Sequence, residues 1–215
     1  MTALHFAISR LTISANAIIR PGLYLTQAYA HVFAHPMLAV KPPEGVGTHH
    51  PAPWTAVRSS GFLETSSVQL SVEYASEDAW GAAIYQAREM MALLRIVAGS
   101  PVRAPVWCTV PFAEIASGKE KGDVYEFEPP LRWSIPDFDL TRDIIVILPD
   151  LLKRLTDCRN DDNFSAAFAL LDSMSWIPSL GAQMIAIWSA AETLMQPSRS
   201  SMTKELARLV RVGGV

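Results

Sequence analysis

Histidine, cysteine and carboxylate side chains fall at spacings that suggest several chemistries. His31 and His35 stand one helical turn apart, which would set two imidazoles on one face to hold a divalent metal. The intervening Val32-Phe33-Ala34 lacks the glutamate of a zinc hydrolase, which argues against metal. His49 and His50 lie in a proline-rich loop with only Glu44 close in sequence, so a surface loop accounts for them better than chelation does. Cys108 and Cys158 have no partner at ligand spacing and fit free thiols in a reducing compartment. Glu120, Asp123, Glu126 and Glu128 surround Tyr125 and Phe127. Paired carboxylates can shuttle protons, but a solvated acidic face is the simpler reading.

Glu192 is the carboxylate with the most to explain. It falls four residues after Trp188, flanking an apolar stripe, and a carboxylate there needs a donor. Arg208 or Arg211 is the expected partner in a structural ion pair; the functional alternative makes Glu192 a support for a reactive pair. Glycine-rich phosphate loops and a Gly-x-Ser-x-Gly elbow are both missing from the sequence. No cofactor and no metal are expected.

The elements that must position these groups follow from pattern. Half of the 215 residues are apolar and 18% are charged, the composition of a folded chain, and a net charge of −3 excludes a broad basic field toward RNA or anionic lipid. Val68 to Tyr74 alternates at period two and predicts a strand with one buried face. Val106–Val110 and Val124–Phe127 predict further strands. Ser76 is the expected cap of a helix burying Ile84, Ala87, Met91, Leu94 and Ala98, with Glu77 and Asp78 in its first turn and Gly99 closing it. Pro129-Pro130 marks a boundary, giving an N-terminal module over 1–130 and a helical one over 131–215.

In the second module Ile144, Ile147, Leu148, Leu151, Leu152 and Leu155 form a stripe interrupted by Pro149, which either kinks the helix or opens a new one. Asp161-Asp162 caps a helix with Phe164, Ala167, Phe168 and Leu171 inward. Pro178 opens another with Leu180, Met184, Ile187, Trp188, Ala191 and Met195 on one side. Short connections imply an up-and-down bundle, so the fold class is α+β. The run from Ile177 to Met195 lacks Lys and Arg, but Gln183, Ser189 and Glu192 fit a bundle helix rather than a membrane span. Leu11–Ile19 followed by Ala28-Tyr29-Ala30 mimics a secretion signal, interrupted by Arg20 and Pro21, and a cytoplasmic location is expected.

The helix Asn163–Met174, the Leu-rich helix ending Ala190-Ala191-Glu192-Thr193-Leu194, the polar linker and the segment Lys204–Arg211 resemble the HEPN superfamily, particularly its Apea-like members. The stretch Ala83–Pro105 is similar to the segment those proteins place before the bundle. The resemblance implies an all-α HEPN bundle, often a homodimer, whose active members cut RNA without metal in defence or toxin settings. Their Arg and His, four to six residues apart in the last helix, have no counterpart here, since every histidine lies at or before His50. Glu192 matches the family's glutamate. The sequence ends with Val212-Gly-Gly-Val where a further helix is expected, which fits a member shortened before its reactive segment and would leave apolar faces around Trp188 and Leu209 uncovered. The expected function is therefore binding, to RNA or to a second copy, without catalysis. The alternative is a structural or protein-interaction module with no nucleic-acid role.

Overall fold

Period-two alternation and long-range pairing build the first part of the molecule. The computed structural model describes residues 2–34, 63–76, 79–128 and 136–196. His35, His49, His50, Glu77, Asp78, Pro129, Pro130, Arg208 and Arg211 lie outside the described residues. Strands β1 (Thr2–Ser9), β3 (Ala17–Arg20), β4 (Leu23–Ala34), β5 (Leu63–Tyr74), β6 (Arg103–Cys108) and β7 (Val124–Glu126) form an antiparallel sheet ordered β3-β4-β5-β1-β6-β7. Two short strands, β2 (Leu11–Ile13) and β8 (Phe138–Leu140), pair in parallel.

The secretion-like stretch is therefore strand, and His31 sits on β4 rather than on a helix. The strand around Val68 forms as expected, but not with one buried face: Val68, Gln69, Leu70, Ser71 and Val72 are all buried. Its place between β4 and β1 leaves no free edge, and burial on both faces needs elements packed above and below the sheet.

Helix α1 (Trp80–Ala98) packs on β5, β1 and β6. It buries Ala87, Met91 and Leu94 as the spacing predicted, and adds Met90, Leu93 and Arg95. Gly99 closes it in the left-handed conformation at φ 55°, where a side chain would be strained. Ser76 is not the cap; Ala79 holds that position without a side-chain bond, and the Ser76 carbonyl instead closes a turn onto the Ala79 amide. Arg88 of α1 lies over the Phe127 ring, which meets Phe6 edge-on at 4.8 Å, so α1 covers the sheet face that carries Phe6. Leu4, Ile8, Leu23, Leu25, Leu70 and Val72 complete the apolar core.

Two compact units divide the chain between Asp150 and Leu151, later than the break expected near residue 130. Pairing of β8 with β2, with the Phe138 amide donating to the Arg10 carbonyl, ties residues beyond the proline pair to the first unit. Helix α3 (Arg142–Cys158) runs unbroken through Pro149, and Leu148, Leu152 and Leu155 are its buried residues. In the second unit α4 (Asp162–Met174) begins as the sequence predicted, with the Asp161 carboxylate accepting from the Phe164 amide at 2.9 Å.

Helix α5 (Leu180–Met195) packs on α4 through a side other than its bulky apolar stripe. The inward side is the small-residue row Ala186 and Ala190, with Ala167 buried on α4. Leu180, Met184, Ile187, Trp188 and Met195 point outward, Trp188 being 68% exposed. A helix apolar around most of its circumference does not announce its buried stripe, and alanines let two helix axes approach more closely than bulky residues would.

Candidate functional site

The centre of the sheet's second face is both polar and buried. Register aligns Ile18, Tyr24, Ser71, His5, Cys108 and Val124 across β3, β4, β5, β1, β6 and β7 in one row. Gln69 lies two residues from Ser71 on the same face, because strand side chains alternate. Over this face packs α2 (Phe112–Ala116), whose Phe112 joins Ala7 and Cys108 in an apolar cluster flanked by Val106, Val110 and Ile115.

Hydrogen bonds fix the protonation of this row. The Phe112 backbone amide donates to Gln69 Oε1 at 3.0 Å, which orients the Gln69 amide group so that Nε2 turns toward the sheet. That nitrogen donates to Ser71 Oγ at 3.0 Å and to His5 Nδ1 at 3.2 Å, and the Ser71 hydroxyl bonds His5 Nδ1 at 2.9 Å. His5 Nδ1 is thus an acceptor, the ring is neutral, and its proton sits on Nε2. Burial lowers the His5 pKa from 6.5 to about 4, opposed by the carboxylate of Glu114 on α2. Lys119 in turn lies 3.7 Å from Glu114. Burial also pushes the Cys108 thiol up, so it stays protonated.

A serine hydroxyl bonded to an imidazole has the connectivity of a nucleophile and its base. Here the base is too weak near neutrality, and Ser71 and His5 are only 8% and 9% exposed. The row instead fastens α2 to the sheet through the Gln69–Phe112 bond. Sequence spacing could not reveal it, because Ser71, His5 and Cys108 meet only through strand order.

Gly122 closes over Cys108. A Cβ there would stand 2.6 Å from Cys108 Sγ and 3.1 Å from both Ile115 Cδ1 and Val110 Cβ. Gly122→Ala is expected to lower stability by about 2 kcal/mol through overpacking, read from the urea midpoint; an unchanged midpoint would contradict the close packing.

A second buried polar group lies at the other end of β6. Glu128, expected in a solvated acidic face, is instead largely enclosed, its side chain 11% exposed: its Oε1 accepts from Arg95 Nη1 at 2.7 Å and its Oε2 from the Ala104 amide at 2.6 Å. Arg95 Nη1 also donates to the Val102 carbonyl at 3.3 Å, and Arg103 Nη2 donates to the Glu128 carbonyl. Burial raises the Glu128 pKa, while Arg95, the Ala104 amide and Arg103 pull it back. Arg95 and Arg103 are each 3% exposed, so this assembly ties α1 to the strand behind it. Glu120, Asp123 and Glu126 are exposed as expected.

Glu192, the leading sequence candidate, is exposed on α5, where its Oε1 accepts from Trp188 Nε1 at 2.7 Å. Its donor is a neighbour on its own helix. Both cysteines are free, Cys108 buried and Cys158 exposed. Among the described residues, no three His, Cys, Asp or Glu side chains converge as metal ligands, and no helix is long and apolar enough to cross a membrane. No family model, curated protein or solved structure matches the chain.

Proposed function

We propose that the chain is a HEPN-like binding protein that pairs with a second copy of itself through the outer face of α5 and carries no RNA-cleaving chemistry of its own. The observation that carries this reading is the broad apolar band on that helix: Leu180 is 74% exposed, Met184 59%, Trp188 68% and Met195 84%. Bands of this kind mark protein contacts. Leu180, Met184, Ile187, Ala191 and Leu194 recur at alternating intervals of four and three, the spacing that seats one helix against another.

A second copy fits the band in antiparallel register. Centred between Ile187 and Trp188, the pairing sets Leu180 against Met195 and Met184 against Ala191, larger side chains over smaller or flexible ones. Glu192 is the one charged residue from Ile177 to Met195, so no charge of the same sign faces it. The same lack of Lys and Arg favours a protein partner over the phosphates of RNA. The alternative, an interaction module bound to a different protein, uses the same face.

Light scattering on the purified chain tests the proposal. Self-association is expected, and Trp188→Glu together with Met184→Lys should weaken it by roughly tenfold or more while the circular dichroism spectrum is unchanged. A monomer at all concentrations, or a dimer indifferent to both changes, would refute the self-pairing. A cleavage assay on labelled RNA should show intact substrate; cutting by the chain would refute the non-catalytic reading.

A further inference from the structure

We infer that the β7 edge of the sheet is a docking strip for an extended, basic peptide segment of another protein, which adds to the sheet as a further strand. The geometry comes from one backbone bond. The Phe127 amide donates to the Pro105 carbonyl at 3.0 Å, and the register pairs Trp107 with Tyr125 and Val106 with Glu126. In an antiparallel ladder the directly opposed pairs alternate between bonded and non-bonded. Phe127 and Tyr125 therefore turn their backbone groups toward β6, and Val124 and Glu126 turn theirs outward. Among the described residues β7 pairs only with β6.

Two further features select the occupant. Tyr125 stacks on Trp107 with ring centroids 4.5 Å apart and an interplanar angle of 21°, and remains 45% exposed, so a rigid aromatic shelf flanks the open backbone. Asp123, Glu126 and Glu120 are exposed beside it, with Lys121 offsetting one charge and Lys119 engaged by Glu114. An edge of this composition repels a second copy of itself and attracts Lys or Arg at alternate positions of an incoming strand, whose stems can lie on the shelf. The opposite edge, β3, carries Arg20 and no carboxylate and lacks this complementarity.

The test uses the full chain and a fluorescein-labelled peptide of alternating Lys and Val, with an alternating Glu and Val peptide as control, read by fluorescence polarisation. The Lys peptide is expected to bind, more weakly as salt rises, and to slow amide exchange at Val124 and Glu126. Val124→Pro removes an outward donor without touching the β6 ladder and should weaken binding by roughly tenfold. Asp123→Lys with Glu126→Lys should do the same by charge alone, and unchanged exchange elsewhere in the sheet verifies that each variant folds. Absence of Lys-peptide binding, equal binding of the Glu peptide, or full binding by Val124→Pro would each overturn the assignment.

Discussion

Replacing Arg95 with alanine is expected to destabilise the N-terminal unit by about 3–5 kcal/mol, measured by urea unfolding. Arg95 stands in the last turn of α1, with its guanidinium against Glu128 and the Val102 carbonyl. Removing it leaves the enclosed Glu128 carboxylate with the bond from the Ala104 amide and only the nearby charge of Arg103, whose Nη2 bonds the Glu128 backbone carbonyl, so the cost is that of an undercompensated charge rather than of a lost contact. Arg95→Lys should fall between, since an ammonium keeps the charge but lacks the planar guanidinium that sets Nη1 between Glu128 and the Val102 carbonyl. Arg95→Met combined with Glu128→Leu should recover much of the loss, because it removes both charges.

The pH dependence gives a separate handle on this pair. Without Arg95 the folded-state Glu128 pKa rises further above its unfolded value, and stability contributed by a raised carboxyl is present in acid and lost as pH climbs through the folded pKa. The Arg95→Ala deficit should therefore grow between acid and neutral pH. A loss below about 1 kcal/mol at neutrality would mean that the pair is solvated.

The second large effect is acid sensitivity through His5. Its folded pKa of about 4 lies below the unfolded 6.5, so between these values the unfolded chain takes up a proton that the folded chain does not. Stability is full above about 6.5, declines as pH falls, and has lost about 3 kcal/mol from this group once pH passes below about 4. The stereochemical reason is that a proton on Nδ1 would face the Gln69 amide hydrogens. His5→Gln should flatten that slope. A variant that loses stability over the same window as the parent would show that another group is responsible.

Several elements were legible because their signals are local. Val68–Tyr74 alternates wherever its partners lie, Gly99 supplies the left-handed closure of α1, and Asp161 offers its carboxylate to an amide three residues away. The first strands were not legible: Thr2–Ser9 is identifiable as an interior strand only through pairing with β5 and β6, far off in sequence. Pro129-Pro130 is punctuation visible in sequence, whereas the parallel pairing of β8 with β2 across more than a hundred residues is not.

Glu192 and Trp188 show the same division. Their four-residue spacing told that the side chains could meet, which they do at 2.7 Å, but not which way the helix faces. That was decided by close packing of α4 and α5 through Ala167, Ala186 and Ala190, which turns the bulky residues outward.

By itself the sequence determined the composition of a folded α+β chain, the periods of its strands and helices, and the residues that start and stop several of them, since all of these act within a few residues. Tertiary structure alone decided that His5, Ser71 and Cys108 share a row, that Glu128 is buried against Arg95, and that α5 presents its largest apolar residues outward. Each depends on which distant segment lies alongside, and desolvation by that neighbour sets the charge and the exposure of the group.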